Sequence, residues 1–159
     1  RSCSPHRFVA DWTPTEIFMS LDLDTALRLC RHALELARGE GSTVMTAVVT
    51  DAGGNIRCAL RGDGVGHFGV DIAHAKCVTA VGFGRSSAKT AAVFADKPQL
   101  LPSFVSLTQG KFMPLGGGVV VVDQSGAVVG AAAMAGATPE NDERYITAAI
   151  REVGLDVPQ

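Results

Sequence analysis

A nine-residue pattern occurs twice in this chain, as Val48-Val49-Thr50-Asp51-Ala52-Gly53-Gly54-Asn55-Ile56 and as Val120-Val121-Val122-Asp123-Gln124-Ser125-Gly126-Ala127-Val128. Each copy reads as a β-hairpin. The β-branched run suits a half-buried pleated strand, and Asp, Gly and Ser supply the side-chain bonds and positive φ angles of a tight turn. A segment of helical character follows each hairpin, over 70–92 and 139–153. Two hairpin-plus-helix units sharing one antiparallel sheet are therefore expected, in a single α+β domain, rather than a parallel βαβ fold. At 159 residues the chain suits one domain with a real hydrophobic core.

The flanking segments extend this frame. Residues 1–20 carry Pro5, Pro14 and mixed polar groups without periodicity, and read as an extended arm ahead of a domain over 21–159. From Ser20 or Asp22, either of which can cap a helix, apolar positions Leu23, Ala26, Leu27, Cys30, Leu34 and Ala37 keep helical spacing until Gly39 and Gly41. Strands are expected at 43–50 and 55–61, a short helical turn at 102–108, and a last helix announced by Thr138-Pro139-Glu140.

Composition removes several function classes. A net charge of −2 leaves no basic footprint for nucleic acid. No apolar run approaches the ~20 residues of a spanning helix, so no membrane segment is expected. The four cysteines, Cys3, Cys30, Cys58 and Cys77, form no Cys-x-x-Cys pair and read as buried free thiols, consistent with a reducing, cytoplasmic setting. The chain begins at Arg1 rather than Met, which implies residues upstream whose nature is not visible. The aromatic content is only 6%, beside 18 glycines, and such small residues suit close packing between elements or between subunits.

Two glycine-rich stretches draw the eye. Gly62-Asp63-Gly64-Val65-Gly66-His67-Phe68-Gly69 lacks the Lys-Ser/Thr ending of a phosphate loop and the register of a dinucleotide fingerprint. Gly116-Gly117-Gly118 opens the third strand, where glycine weakens strand formation, so a ligand or another backbone is expected to come close there. Lys76 lies among apolar neighbours on its helix. Such a lysine either snorkels to water or holds an anionic group. On the second reading, Lys76→Met weakens an anionic ligand at unchanged stability, and valine at Gly117 or Gly118 disturbs binding before it disturbs folding.

The motifs Asp51-Ala52-Gly53-Gly54, Arg61-Gly62-Asp63-Gly64, Ile72-Ala73 with Lys76 and Thr79-Ala80, Gly117-Gly118-Val119, Val129-Gly130-Ala131, Gly136 and Asp142-Glu143 together resemble the haem-binding HbpS-like and glycolate-operon GlcG family, over residues 21–153. The same module closes the PduO-type cobalamin adenosyltransferases. The resemblance implies an α-β-α sandwich around an antiparallel sheet and a homo-oligomer. Its members include haem-binding and haem-degrading proteins, tetrapyrrole-associated domains, and cofactor-free lyases acting on hydroxylaminobenzoates. This chain departs from the pattern at Cys77, Val120 and Met134-Ala135.

For a haem protein, the leading reading, the axial-ligand candidates are His67, His74, Cys58 and Met113. A metal site built on His67 and His74 would draw a third ligand from Asp63 or Asp71. His74 also reads as a surface partner of Asp71. For a lyase, the alternative, Arg61 and Lys76 could anchor a ring carboxylate, with Glu143 or Asp142 as acid or base and Gly117 and Gly118 admitting the substrate. Acids in the first turn of a helix also simply stabilise its positive end, and Arg61 also suits a strand-end ion pair. A third class is a non-catalytic oligomer that senses or scaffolds.

Overall fold

The computed structural model describes residues 21–158; the expected arm over 1–20, with Cys3, lies outside them. Helix α1 (Leu23–Gly39) is followed by strands β1 (Thr46–Asp51) and β2 (Ile56–Arg61), and then by helices α2 (Gly69–Phe83) and α3 (Ser87–Phe94). A 3₁₀ turn (Pro98–Leu100) and helix α4 (Leu101–Leu107) lead to β3 (Gly118–Val122), β4 (Val128–Ala135) and α5 (Pro139–Glu152). The strands form one antiparallel sheet in the order β2-β1-β4-β3, so the two hairpins meet through β1 and β4.

The two turns are built alike. Asp51 Oδ1 accepts the N–H groups of Gly53 and Asn55, both at 2.9 Å. Asp123 Oδ1 accepts those of Ser125 and Ala127, at 2.8 and 3.0 Å. Gly54 and Gly126 then take positive φ, 80° and 83°, where a Cβ would be strained. Helix caps also follow local sequence. Asp22 caps α1 by accepting the Thr25 N–H at 2.7 Å, Ser20 lying outside the described residues, and Thr138 caps α5 by accepting that of Asn141.

Helices cover both faces of the sheet. Leu29, Cys30 and Ala33 of α1 and Ile146 and Ile150 of α5 pack on Val49, Val121 and Met134. Ala73, Cys77 and Ala80 of α2 pack on Val48, Val120 and Ala133 from the other side. Strand β4 carries Ala131, Ala132 and Ala133 in succession, all fully buried, and these small side chains let the two helical layers approach the sheet closely. Cys30, Cys58 and Cys77 are free and buried. Burial pushes the Cys30 and Cys77 thiols well above their ordinary range, so both behave as apolar side chains.

The expected single helix over 70–92 is two. Gly84 adopts the left-handed conformation (φ 61°) that ends α2, and Ser86 Oγ caps α3 by accepting the Lys89 N–H at 3.2 Å. Helix α3 thereby turns against the outer strand. Ser87 Oγ accepts the Gly118 N–H at 2.9 Å and donates to the Leu115 carbonyl at 2.6 Å. Further along the same strand, Val122 exchanges both backbone hydrogen bonds with Asp156, at 2.8 and 3.0 Å.

The end of α1 is tied to α5 by Glu40, whose carboxylate accepts two bonds from Arg144, one at 2.8 Å, and one from the Tyr145 hydroxyl at 3.0 Å. The Arg144 bonds hold the Glu40 carboxyl down at about 2, against a partial desolvation that opposes them. A depressed carboxylate adds stability above its unfolded value, near 4.5, and that stability is lost as pH falls towards 2. Thermal midpoints measured from pH 5 to pH 2 should therefore fall less steeply in Glu40→Gln than in the wild type. The difference will be modest because both side chains are half exposed.

Candidate functional site

The glycine-rich connection from β2 to α2 folds over the end of the sheet where β1 begins and β4 finishes. Gly62 keeps the chain close to β1, its N–H donating to the Met45 carbonyl at 2.9 Å. Arg61, exposed at the end of β2, turns back and donates from Nε and Nη2 to the Val65 carbonyl at 2.9 and 2.6 Å. Val65 is thereby pinned inward and buried, while His67 and Phe68 stand outward. Their ring centroids are 4.0 Å apart, and Phe68 is 63% exposed. Beside them runs an open groove of about 320 Å³ whose apolar walls include Val44, Val65, Ile72 and Ala135. His67 makes no hydrogen bond among the described residues, so its ring nitrogens are available to a ligand.

The other haem-ligand candidates lie elsewhere. His74 Nε2 donates to the Gly54 carbonyl at 2.8 Å, fastening α2 to the first hairpin turn rather than pairing with Asp71. Cys58 is buried on the opposite face of the sheet, beneath α1. Met113 is held by its backbone N–H, which donates to Thr79 Oγ1 at 2.8 Å. Its neighbour Phe112 joins Phe83, Phe94 and Phe104 in an aromatic cluster with centroids 4.9–6.0 Å apart. Among the described residues no three His, Cys, Asp or Glu side chains gather as a metal site, so Asp63 and Asp71 do not complete one with His67 and His74.

Lys76 and Asp142 form a second centre inside the protein. Lys76 Nζ lies 2.9 Å from Asp142 Oδ2 and donates to the Met134 carbonyl at 2.9 Å, with both side chains only 2% exposed. Asp142 Oδ1 accepts the Ala137 N–H at 3.1 Å. Gly117 and Gly118 lie against this pair. A Cβ at Gly117 would fall 2.6 Å from Asp142 Cβ and 2.9 Å from Lys76 Nζ, and one at Gly118 would fall 2.7 Å from the Lys76 carbonyl oxygen. What comes close to these glycines is α2 and its ion pair. Lys76 thus neither snorkels nor waits for an outside anion, since the anion it holds is Asp142.

Glu143 is not a hydrogen-bond partner of that pair among the described residues. Its Oε2 accepts the Gly117 N–H at a long 3.4 Å, and it lines an open concavity of about 740 Å³ between α3 and α5 with Ala88, Leu115, Arg144 and Arg151. Arg144 and Arg151 are engaged there by Glu40 and Asp156. The proposed anchors for a ring carboxylate are not assembled: Arg61 ends the edge strand β2, whereas Lys76 lies against the start of β3, at the opposite edge of the sheet.

A family model described as haem degrading protein HbpS-like matches residues 21–151. The chain belongs to the HbpS-like family. A crystal structure of HbpS superposes with a TM-score of 0.73 at 30% identity, covering 85% of this chain and 91% of that one. A double-mutant HbpS from Streptomyces reticuli gives 0.76 at 29% identity, over 97% and 99% of the two chains. The fold is shared also with PduOC, solved as a haem complex, at a TM-score of 0.76 and 23% identity, over 88% and 99%. Among curated protein sequences no significant relative was found. Within the HbpS-like fold, Phe68 and Val65 complete the groove around His67. Sequence reading fixed on the histidine and passed over both, although they flank it in the same glycine-rich run. No helix among the described residues is long and apolar enough to cross a membrane.

Proposed function

We propose that this HbpS-like protein binds a tetrapyrrole of the haem type in the groove beside His67 and Phe68. The observation that carries the reading is the pairing of an uncommitted imidazole with an exposed aromatic ring above an apolar groove. A tetrapyrrole is a flat apolar body with a central metal. Phe68 and the aliphatic walls suit its face and edges, and the imidazole suits the metal. Relatives support the same direction, since the matching family is described as haem-degrading and PduOC was solved with haem.

These residues fit haem. His67 would ligate it, Phe68 and Ile72 would pack on it, and Arg61 would hold the loop in place through Val65. Bound there, haem would supply an iron centre for oxygen or electron chemistry. The chain's own part is to orient the ring and keep water from one side of it. The lyase reading is less favoured because its two cationic anchors stand apart and Lys76 is already neutralised. Assembly of copies and a cytoplasmic setting belong to the same proposal. The buried free thiols support the second, and light scattering on the purified protein tests the first.

Haem titration followed in the Soret region is the test. Wild type should show saturable binding with a shifted band. His67→Ala should lose that band and bind at least about tenfold more weakly, a difference of about 1.4 kcal/mol. An unshifted, non-saturating response in the wild type would remove the tetrapyrrole reading, and an unchanged band in His67→Ala would move the ligand role to another residue.

A further inference from the structure

We propose that the His67 groove ends in a carboxylate-binding subsite formed by Thr46, Arg61 and the N-terminus of α2, which makes the preferred ligand a tetrapyrrole bearing free acid side chains. The inference rests on the groove being the tetrapyrrole site and says which edge of the ligand lies deepest.

Thr46 supplies the first observation. Its side chain is fully buried, and Oγ1 has no hydrogen-bond partner, the sole such buried side-chain polar atom among the described residues. An unsatisfied buried hydroxyl works against folding, and its retention calls for a reason. Thr46 stands in β1 opposite Arg61 of β2 and Ala135 of β4, so the three side chains share the face of the sheet that α2 covers. Ala135 is a wall of the groove. Thr46 does not itself line the groove; its hydroxyl lies behind Val65 and Gly69, which do.

The groups around it are donors. Gly69, the first residue of α2, comes down directly over Thr46: a Cβ there would fall 2.8 Å from Oγ1 and 2.3 Å from Val65 Cγ1, so only glycine admits the approach. The helix it begins has no side-chain cap, and Asp71, the acid of its first turn, is exposed and bonds none of the leading N–H groups. The Gly69 N–H itself donates to the Gly66 carbonyl at 3.1 Å, so the amides left to favour an anion at this helix start are those of the next residues, Val70 and Asp71. Arg61 completes the set. Its Nε and Nη2 are spent on the Val65 carbonyl, but Nη1 makes no hydrogen bond among the described residues. A hydroxyl, a guanidinium and a helix N-terminus thus surround one residue, Val65.

Val65 is the cover, and what holds it is the Arg61 guanidinium, through the two bonds to its carbonyl. Apart from the Arg61 bonds it is fixed by its own N–H, which donates to the Gly62 carbonyl at a long 3.4 Å. Gly62, Gly64 and Gly66 space its loop with residues of wide backbone freedom. An incoming carboxylate can take the guanidinium from the Val65 carbonyl, turn the side chain outward, and accept the Thr46 hydroxyl proton in a hydrogen bond. No covalent step is involved.

The test uses the full chain and the near-isosteric Thr46→Val. Thermal unfolding without ligand, and binding of haem, haem dimethyl ester and benzoate, are measured for both proteins. Thr46→Val should unfold at a higher temperature than the wild type, because it deletes a hydroxyl that has no partner. It should also bind haem about tenfold more weakly, the usual effect of losing a hydrogen bond to a charged group. The dimethyl ester, which lacks the carboxylate, should bind the two proteins equally. A lower unfolding temperature, or equal haem affinity, would overturn the subsite. If the wild type binds no haem, the tetrapyrrole reading fails on its own. The subsite then stands if benzoate raises the midpoint of the wild type but not of the variant, and falls if benzoate treats the two alike.

Discussion

Asp142→Ala is expected to destabilise the protein by about 3–5 kcal/mol, which urea unfolding would show as a large fall in the transition midpoint at unchanged slope. The variant strands an ammonium ion in the interior. Lys76 is 2% exposed, and its second partner, the Met134 carbonyl, carries no charge. Domains of this size have total stabilities of about 5–15 kcal/mol, so the loss would remove a large share. Lys76→Met should be costly for the mirror reason, which reverses the expectation that this change leaves stability alone. Pairing it with Asp142→Leu should recover much of the loss, because the two sites are in direct contact and their effects do not add. A cost under about 1 kcal/mol for Asp142→Ala would mean that water reaches the pair.

Gly118→Val carries the other large effect, at or above the ~3 kcal/mol upper range of ordinary over-packing. The new Cβ would stand 2.7 and 2.8 Å from the carbonyl oxygen and carbon of Lys76. That is helix backbone, which cannot step aside as a side chain can. Helix α2 would have to lift from β3, opening the face built on Val48, Val120 and Ala133. Gly82→Ala is the natural control. Its Cβ meets nothing within 4 Å, and alanine should strengthen the helix by about 0.5–1 kcal/mol. Folding of Gly118→Val at near wild-type stability would show that α2 gives way more easily than its packing implies.

The legible parts of this fold are those encoded by neighbours in sequence. Asp51 and Asp123 bond N–H groups two and four residues on, so both turns announce themselves. Thr138 and Pro139 do the same for α5. The break at Gly84 was hidden by apolar residues continuing on both sides of it, where Ser86 already offered the cap of a new helix. The site was legible in the same proportion. His67 and Arg61 lie within one loop and its stem, and the sequence exposes them. Lys76 and Asp142 meet across 66 positions, and Thr46 is brought under Gly69 by strand pairing. No spacing rule reaches that far, because such contacts are fixed only when sheet order and helix placement are known.

The outer strand β3 has a bearing on how this protein behaves in concentrated solution. A sheet edge recruits foreign strands through a row of open backbone groups. Here Ser87 occupies the first outward-facing position, at Gly118, and Asp156 occupies the third, at Val122, which leaves only the single residue between them. One residue is too short a template for a β-strand. The opposite edge, β2, carries Arg57 and Arg61, and charge at an edge discourages the same event. Templated cross-β growth therefore finds one open residue at β3 and a charged edge at β2, and at β3 the guard is made by contacts that take no part in binding.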